Sequence, residues 1–186
     1  MIRTGLMLAA GASRRFGPDD KLLALFRDRP VIMHAAKAMR QTPLEHRIAV
    51  IANPDLRPFL SGFDVIEVAP GTQSDSLIAG LKAADTPDRL LITLADMPLV
   101  TSELLAQVVT GVSGGQPAAC YDDAPPMPPV CFPKDWLARL ADVSGDKGAG
   151  RFIRELPASA LIPACGMLAD IDSLADLERL EAQLRS

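Results

Sequence analysis

The chain has 186 residues, of which 48% are hydrophobic and 23% are charged, and its formal net charge is -4. These proportions are ordinary for a folded globular protein and argue against disorder or a fibrous architecture. One domain, residues 1–186, is expected, and a chain of this length buries about 70% of the surface that it exposes when unfolded. Because basic residues are scattered through a mildly acidic chain, we expect no nucleic-acid partner.

The sequence also indicates where in the cell the protein is expected. No stretch approaches eighteen apolar residues, and the short apolar run near the N-terminus is followed at once by a charged loop. We therefore expect neither a membrane span nor a signal peptide, and a cytoplasmic location by default. Cys120, Cys131 and Cys165 are widely spaced and lack C-x-x-C spacing, so buried free thiols are predicted rather than disulfides or a zinc site.

The first candidate site follows the first apolar run. Leu6–Ala10 suits a buried strand, and the loop after it carries a glycine, a serine and basic residues: Gly11, Ser13, Arg14, Arg15 and Lys21. Glycine lets backbone N–H groups approach an anion, and the basic groups can neutralise a polyphosphate. A solvated basic turn is the alternative, and the spacing excludes both a Walker P-loop and G-x-G-x-x-G.

Strands and helices alternate along the rest of the chain. The predicted strands are Leu6–Ala10, Ile48–Ile51, Phe63–Val68, Leu90–Leu94, Ala118–Tyr121, Val130–Phe132 and Leu168–Asp172. The predicted helices are Val31–Arg40, Ser74–Ala84, one starting near Thr101, one opened by Gly145–Ala149, and Ser173–Leu184. This alternation predicts a three-layer α/β/α sandwich with a mostly parallel, Rossmann-like sheet.

Several polar residues stand at the ends of these elements. Asp96 follows a continuous apolar run, so it should lie at the carboxyl end of a central strand, where open α/β sheets bind ligands. Its carboxylate is a hard oxygen donor suited to Mg2+. Asp170 and Asp172 alternate on an expected strand, so at most one of them should join Asp96. Asn53 ends another strand.

Ser74, Asp75 and Ser76 open the helix Ser74–Ala84, and any of them could cap it. The irregular stretch between residues 111 and 133 is predicted to be a loop excursion over the sheet that could line an acceptor site.

The glycine loop resembles a known signature. L-A-A-G-A-S-R-R-F-G (residues 8–17), followed by Lys21, is similar to the L-A-A-G-x-S-x-R-x-G…K signature of the MobA-like nucleotidyltransferases, and most like their molybdenum cofactor cytidylyltransferase branch. Further matches are L-A-D-M-P (94–98), P-P-V-C-F-P (128–133), G-D-K-G-A (145–149) and D-I-D-S (170–173). The resemblance implies a fold of the nucleotide-diphospho-sugar transferase type.

The resemblance also implies a reaction: Mg2+-dependent transfer of CMP from CTP to molybdopterin, with release of pyrophosphate. CTP is implied because guanylyl relatives tend to have L-A-G-G where this chain has Ala10. The implied nucleotide-binding residues are Leu8, Ala9, Ala10, Gly11, Ser13, Arg15, Lys21, Asn53 and Ser76. The implied catalytic residues are Arg15, Lys21 and Asp96, and the implied metal ligands are Asp96 and Asp172, with Asp170 in reserve.

One departure from the family's sequence pattern leaves the identity of the acceptor open. Related cytidylyltransferases carry Gly-His-Pro-Val where this chain has Met127-Pro128-Pro129-Val130, so the histidine is missing. The alternatives are a sugar phosphate or other phosphorylated acceptor, or a non-catalytic carrier that hands the cofactor on. A molybdoenzyme or its chaperone is the further partner that the resemblance implies.

Overall fold

The computed structural model describes residues 1–11, 15–17, 19–122, 124–142 and 149–185. Its strands are β1 (Arg3–Ala9), β2 (Leu25–Phe26), β3 (Arg29–Pro30), β4 (His46–Ile51), β5 (Asp64–Glu67), β6 (Arg89–Leu94), β7 (Ala118–Tyr121), β8 (Met127–Pro133) and β9 (Leu161–Pro163). Its α-helices are α1 (Val31–Gln41), α2 (Gln73–Ala83), α3 (Ser102–Gly111), α4 (Leu137–Ala141), α5 (Gly150–Arg154) and α6 (Leu174–Gln183). Short 3-10 turns cover Pro54–Phe59, Lys134–Trp136 and Ala158–Ala160.

Seven strands form the central sheet in the order β5-β4-β1-β6-β8-β7-β9, and β2 pairs with β3 apart from it. The pairs β5-β4, β4-β1, β1-β6 and β7-β9 are parallel, whereas β8 runs antiparallel to both β6 and β7. The prediction of a mostly parallel sheet is therefore confirmed.

Helices cover both faces of this sheet. Along β1, Leu6 packs into the cluster that contains Leu77 of α2, whereas its neighbour Met7 packs into the cluster that contains Ile32 of α1. Helices α1 and α3 contact each other on one face, and α2 and α4 on the other. A strand covered on both faces buries every side chain, which explains the unbroken apolar runs of β1 and β6. The predicted three-layer sandwich is confirmed.

The chain changes direction at the two central strands. It leaves β1 through α1 to β4 on one side, and it later returns through α2 to β6 on the other side. The loops that follow β1 and β6 therefore diverge, and such a switch point opens a crevice at the carboxyl ends of the strands. The two strand ends remain tied, because the backbone N–H of Ala95 donates to the carbonyl of Leu8 at 3.1 Å.

Helix α2 approaches β1 closely at one glycine. A Cβ on Gly80 would meet Cδ1 and Cδ2 of Leu6, a side chain with no solvent exposure. Because Gly80 has no side chain, helix α2 can pack closely against β1, the strand that leads into the glycine loop.

Three sequence predictions need correction. Leu168–Asp172 is not a strand: it passes the end of β6 with one backbone bond, from the Ile171 N–H to the Asp96 carbonyl at 3.0 Å, and Leu161–Pro163 forms β9 instead. Its apolar residues reflect packing without a strand, because Leu168 and Ile171, three positions apart, are buried in the core. The predicted excursion between residues 111 and 133 is shorter than expected: the predicted strand Ala118–Tyr121 is observed as β7, and the predicted strand Val130–Phe132 belongs to a longer β8 that begins at Met127.

The third correction concerns the cysteines. Cys165 is exposed, whereas Cys120 and Cys131 are buried free thiols as predicted. Burial raises the pKa of both buried thiols to about 12, so they stay protonated at neutral pH.

Helix α5 covers Gly150–Arg154 and has Ala149 at its N-cap, whereas Gly145, Asp146, Lys147 and Gly148 of the predicted helix opening lie outside the described residues. Within the described ranges, no helix combines the length and the apolar character needed to cross a bilayer.

Candidate active site

Lys21 lies between two carboxylates at the carboxyl edge of the sheet. Its ammonium donates to Asp96 Oδ2 at 2.6 Å and to Asp172 Oδ1 at 2.7 Å. The lysine side chain is only 9% exposed. Burial by itself lowers the pKa of Lys21, but the charge of Asp96 and the hydrogen bonds to both carboxylates outweigh it, so the pKa is raised. The lysine is therefore charged at neutral pH.

Separate local structures hold the two carboxylates. Asp96 follows β6 directly, as predicted, and its carbonyl accepts the Ile171 N–H. Asp172 precedes the N-cap of α6, where Ser173 Oγ accepts from the Asp176 N–H at 3.2 Å. The Asp176 carboxylate in turn accepts from the Asp172 N–H at 3.3 Å. Asp172 is thus positioned by the N-cap of α6.

Arg15 also contacts this group. Its guanidinium donates to Asp172 Oδ2 at 2.5 Å, and its side chain is 75% exposed. One carboxylate oxygen of Asp172 therefore accepts a hydrogen bond from Lys21, and the other accepts one from Arg15. Ser13 and Arg14, which the sequence also singled out, lie outside the described residues.

A cleft opens beside these charges between β1, β6 and the start of α2. Its walls are Leu8, Ala9, Ala10, Gly11, Lys21, Leu22, Gly71, Thr72, Gln73, Ser76, Leu94 and Asp96. Seven of the predicted site residues therefore share one cleft: Leu8, Ala9, Ala10, Gly11, Lys21, Ser76 and Asp96. Asp172 adjoins the cleft because it contacts Lys21, and Arg15 in turn contacts Asp172.

The part of the cleft wall at the start of α2 was not predicted from the sequence. Gly71, Thr72 and Gln73 line the cleft, and the helix is capped by Thr72 rather than by Ser74, Asp75 or Ser76. Thr72 Oγ1 accepts from the Asp75 N–H at 3.2 Å, and the Asp75 carboxylate accepts from the Thr72 N–H at 2.8 Å. The T-x-x-D spacing of this capping box was the signal that could have found it.

Asn53 lies outside the cleft wall. Its side-chain amide donates to Asp20 Oδ2 at 2.9 Å, and its Oδ1 accepts from the Asp55 N–H at 3.0 Å. Asn53 therefore fixes the residue before Lys21, and direct nucleotide binding by Asn53 stays a prediction.

Asp170 lies within electrostatic reach of the same carboxylates. Burial is the main cause that raises its pKa, followed by repulsion from Asp172 and Asp96. Because this segment is not a strand, the alternation argument that separated Asp170 from Asp172 loses its basis.

Asp96 provides the clearest fit for a divalent cation. Its Oδ1 is buried and accepts no hydrogen bond from the described residues. Among those residues, no group of three or more His, Cys, Asp or Glu side chains has the arrangement of a preformed metal site. One or two carboxylates with an unsatisfied oxygen suit Mg2+, which keeps several waters and takes further ligands from substrate phosphates.

A second, apolar cavity adjoins the cleft. Leu8, Gln73 and Leu94 line both cavities, and the second one continues toward Pro128, Val130 and Ile153. Two cavities that share a wall can hold two reactants side by side.

The sheet has a switch point and is covered on both faces, and its fold is of the nucleotide-diphospho-sugar transferase type, which solved structures similar to this chain share. Residues 5–160 match the model of the MobA-like NTP transferase domain, and the chain belongs to that family.

The proteins that this chain is similar to carry different names. A protein of Chloroflexus aggregans named probable molybdenum cofactor guanylyltransferase is 34% identical over 57% of this chain, and the chain spans only 51% of that relative. The nicotine blue oxidoreductase of Paenarthrobacter nicotinovorans is 28% identical and covers 95% of both chains. The solved structure of Mycobacterium tuberculosis Rv0371C in complex with manganese has a TM-score of 0.81 and 25% identity, and covers 98% of this chain and 99% of its own.

Proposed function

We propose that this chain is a nucleotidyltransferase that moves a nucleoside monophosphate from a nucleoside triphosphate to the phosphate of a molybdopterin-type acceptor. The observation that carries the proposal is the buried Lys21 ammonium, which contacts Asp96 and Asp172 beside the Leu8–Gly11 cleft. At a switch point, where open sheets bind ligands, carboxylates that can hold a divalent cation beside basic side chains suit a polyphosphate that must be both bound and charge-compensated. The name of the Chloroflexus relative supports the molybdenum cofactor as the acceptor class.

The proposed reaction needs no nucleophile from the protein. An acceptor phosphate oxygen attacks the α-phosphorus, the bond from that phosphorus to the bridging oxygen breaks, and pyrophosphate leaves with the bonding electrons. The difficulty is charge, because two polyanions must approach each other. Lys21 and the exposed Arg15 would supply positive charge, and the backbone N–H of Gly11 would donate to a phosphate oxygen at close range.

Asp96 and Asp172 are the residues that would hold Mg2+. The buried, unpartnered Oδ1 of Asp96 supports this assignment. The manganese complex of the mycobacterial protein, which shares 25% identity, supports a divalent cation in this fold. When bound, such an ion neutralises charge on the phosphate oxygens.

We propose CTP as the donor, because Ala10 is 3% exposed and lines the cleft, where its methyl group narrows the space for a base. A hydrophobic contact of this size discriminates by about 1–3 kcal/mol. The Chloroflexus relative is named a guanylyltransferase, so the donor has to be measured directly. Incorporation of GTP at least as efficient as that of CTP would overturn the choice of CTP.

The test is pyrophosphate release with CTP, GTP and ATP in turn, each with Mg2+ and with or without the molybdopterin-type acceptor. Acceptor-dependent release supports the transferase. Release with a sugar phosphate but not with molybdopterin would support the alternative acceptor, and nucleotide binding without any release would support the carrier.

The comparison with an oxidoreductase makes this test necessary. A relative that covers 95% of the chain carries the name of a redox enzyme, so family membership alone does not fix the reaction. Lys21, Asp96 and Asp172 are charged groups of the kind that phosphoryl transfer uses, and they support the transferase.

A further inference from the structure

The carboxylates proposed to hold Mg2+ already contact the chain's own cations. Lys21 lies 2.6 Å from Asp96 Oδ2 and 2.7 Å from Asp172 Oδ1, and Arg15 contacts the other oxygen of Asp172 at 2.5 Å. These contacts have the short donor–acceptor distances of charge-assisted hydrogen bonds.

A divalent cation and the Lys21 ammonium compete for the same two carboxylates, because Asp96 offers one oxygen, Oδ1, that is unpartnered among the described residues, but both oxygens of Asp172 already contact cations. Both need direct contact with Asp96 and Asp172, and their positive charges repel at the separation that shared ligands would impose. Because the lysine side chain is only 9% exposed, water screens this repulsion poorly. One cation must therefore withdraw before the other can bind fully.

We propose that Lys21 is a displaceable counter-ion: a divalent cation binds Asp96 and Asp172 as the lysine ammonium leaves them, and the released ammonium is then available to the triphosphate. The second half rests on the proposed function. Since each ligand favours the arrangement that the other needs, metal and nucleotide should strengthen each other's binding.

The surrounding contacts favour rotation of the side chain over movement of the loop. The carboxylate of Asp20 accepts from the Leu22 N–H at 3.0 Å and from the Asn53 amide at 2.9 Å. Leu22 is 3% exposed and packs in the core. The backbone on both sides of Lys21 is thus fixed, while its long side chain borders the cleft.

The test measures Mn2+ binding without nucleotide, from the electron paramagnetic resonance signal of free Mn2+, in the wild-type protein and three variants. Lys21→Gln should tighten Mn2+ binding by between about 5-fold and about 150-fold, the range of ordinary coupling free energies. Arg15→Gln should give a smaller gain, because Arg15 contacts one carboxylate and is 75% exposed. The matched control is Lys37→Gln, which removes the same charge from an exposed position of α1.

Unchanged or weaker Mn2+ binding in Lys21→Gln, with a native circular dichroism spectrum, overturns the proposal. If Lys21→Gln does not fold, Arg15→Gln decides: Mn2+ binding no tighter than in Lys37→Gln overturns it. Because the assay contains no nucleotide, tighter Mn2+ binding alongside absent pyrophosphate release would keep the displacement and reject the proposed function.

Discussion

Gly80→Ala tests how α2 is held against the sheet. The new Cβ would meet Cδ1 and Cδ2 of Leu6, and Cγ at 3.1 Å, in a side chain with no solvent exposure. Alanine gains about 1 kcal/mol of helix propensity over glycine, whereas overpacking of a filled core costs about 1–3 kcal/mol. The buried environment of Leu6 makes the packing cost larger, so we expect a net loss of about 1–2 kcal/mol.

The assay is thermal and urea unfolding followed by circular dichroism. For a chain of this size the loss corresponds to a fall in Tm of about 2–8 °C. Gly150→Ala is the matched control, because Gly150 is also helical but its added Cβ meets nothing within 4 Å; it should be neutral or stabilising by up to about 1 kcal/mol. Gly80→Ala at or above wild-type stability would refute the close approach of α2 to β1.

Three further changes test other parts of the structure. Asp96→Asn should lower the rate of pyrophosphate release by about 100-fold or more with an unchanged circular dichroism spectrum, because it removes a carboxylate proposed to hold the Mg2+ that neutralises the phosphates; a loss below about 10-fold would contradict the assigned role. Thr72→Ala should cost about 1 kcal/mol in urea unfolding by removing the cap of α2, and an unchanged midpoint would contradict that cap. Arg3 lowers the pKa of Glu45 to about 2, so their pair stabilises the fold above about pH 4.5 and is lost as the pH falls toward 2. Glu45→Gln should remove that part of the acid dependence, at most about 1 kcal/mol at an exposed pair, and an unchanged pH profile of unfolding would count against it.

The sequence predicted the central sheet well because its signal is local. The apolar runs of β1 and β6 record burial on both faces, and the observed strands Arg3–Ala9 and Arg89–Leu94 contain most of the predicted runs. The position of Asp96 followed from the end of β6. Residues 5–160 match the family that the glycine loop indicated.

Other features depend on packing that a linear pattern does not encode. Leu168–Asp172 alternates like a strand, but it lies against the end of β6 and not in a ladder. Lys21 contacts Asp96, which is 75 positions away in the sequence, and Asp172, which is 151 positions away. Only the folded chain brings these three residues together. The predicted strand–loop position of Asn53 was right, but the contact of its amide with Asp20 was not visible in the pattern.

The most direct measurement is mass spectrometry of the acceptor after incubation with CTP and Mg2+. Nucleotidyl transfer predicts an acceptor that is heavier by one CMP residue, in a one-to-one ratio with released pyrophosphate. An unchanged acceptor after CTP is consumed, or an acceptor altered only in its oxidation state, would contradict nucleotidyl transfer.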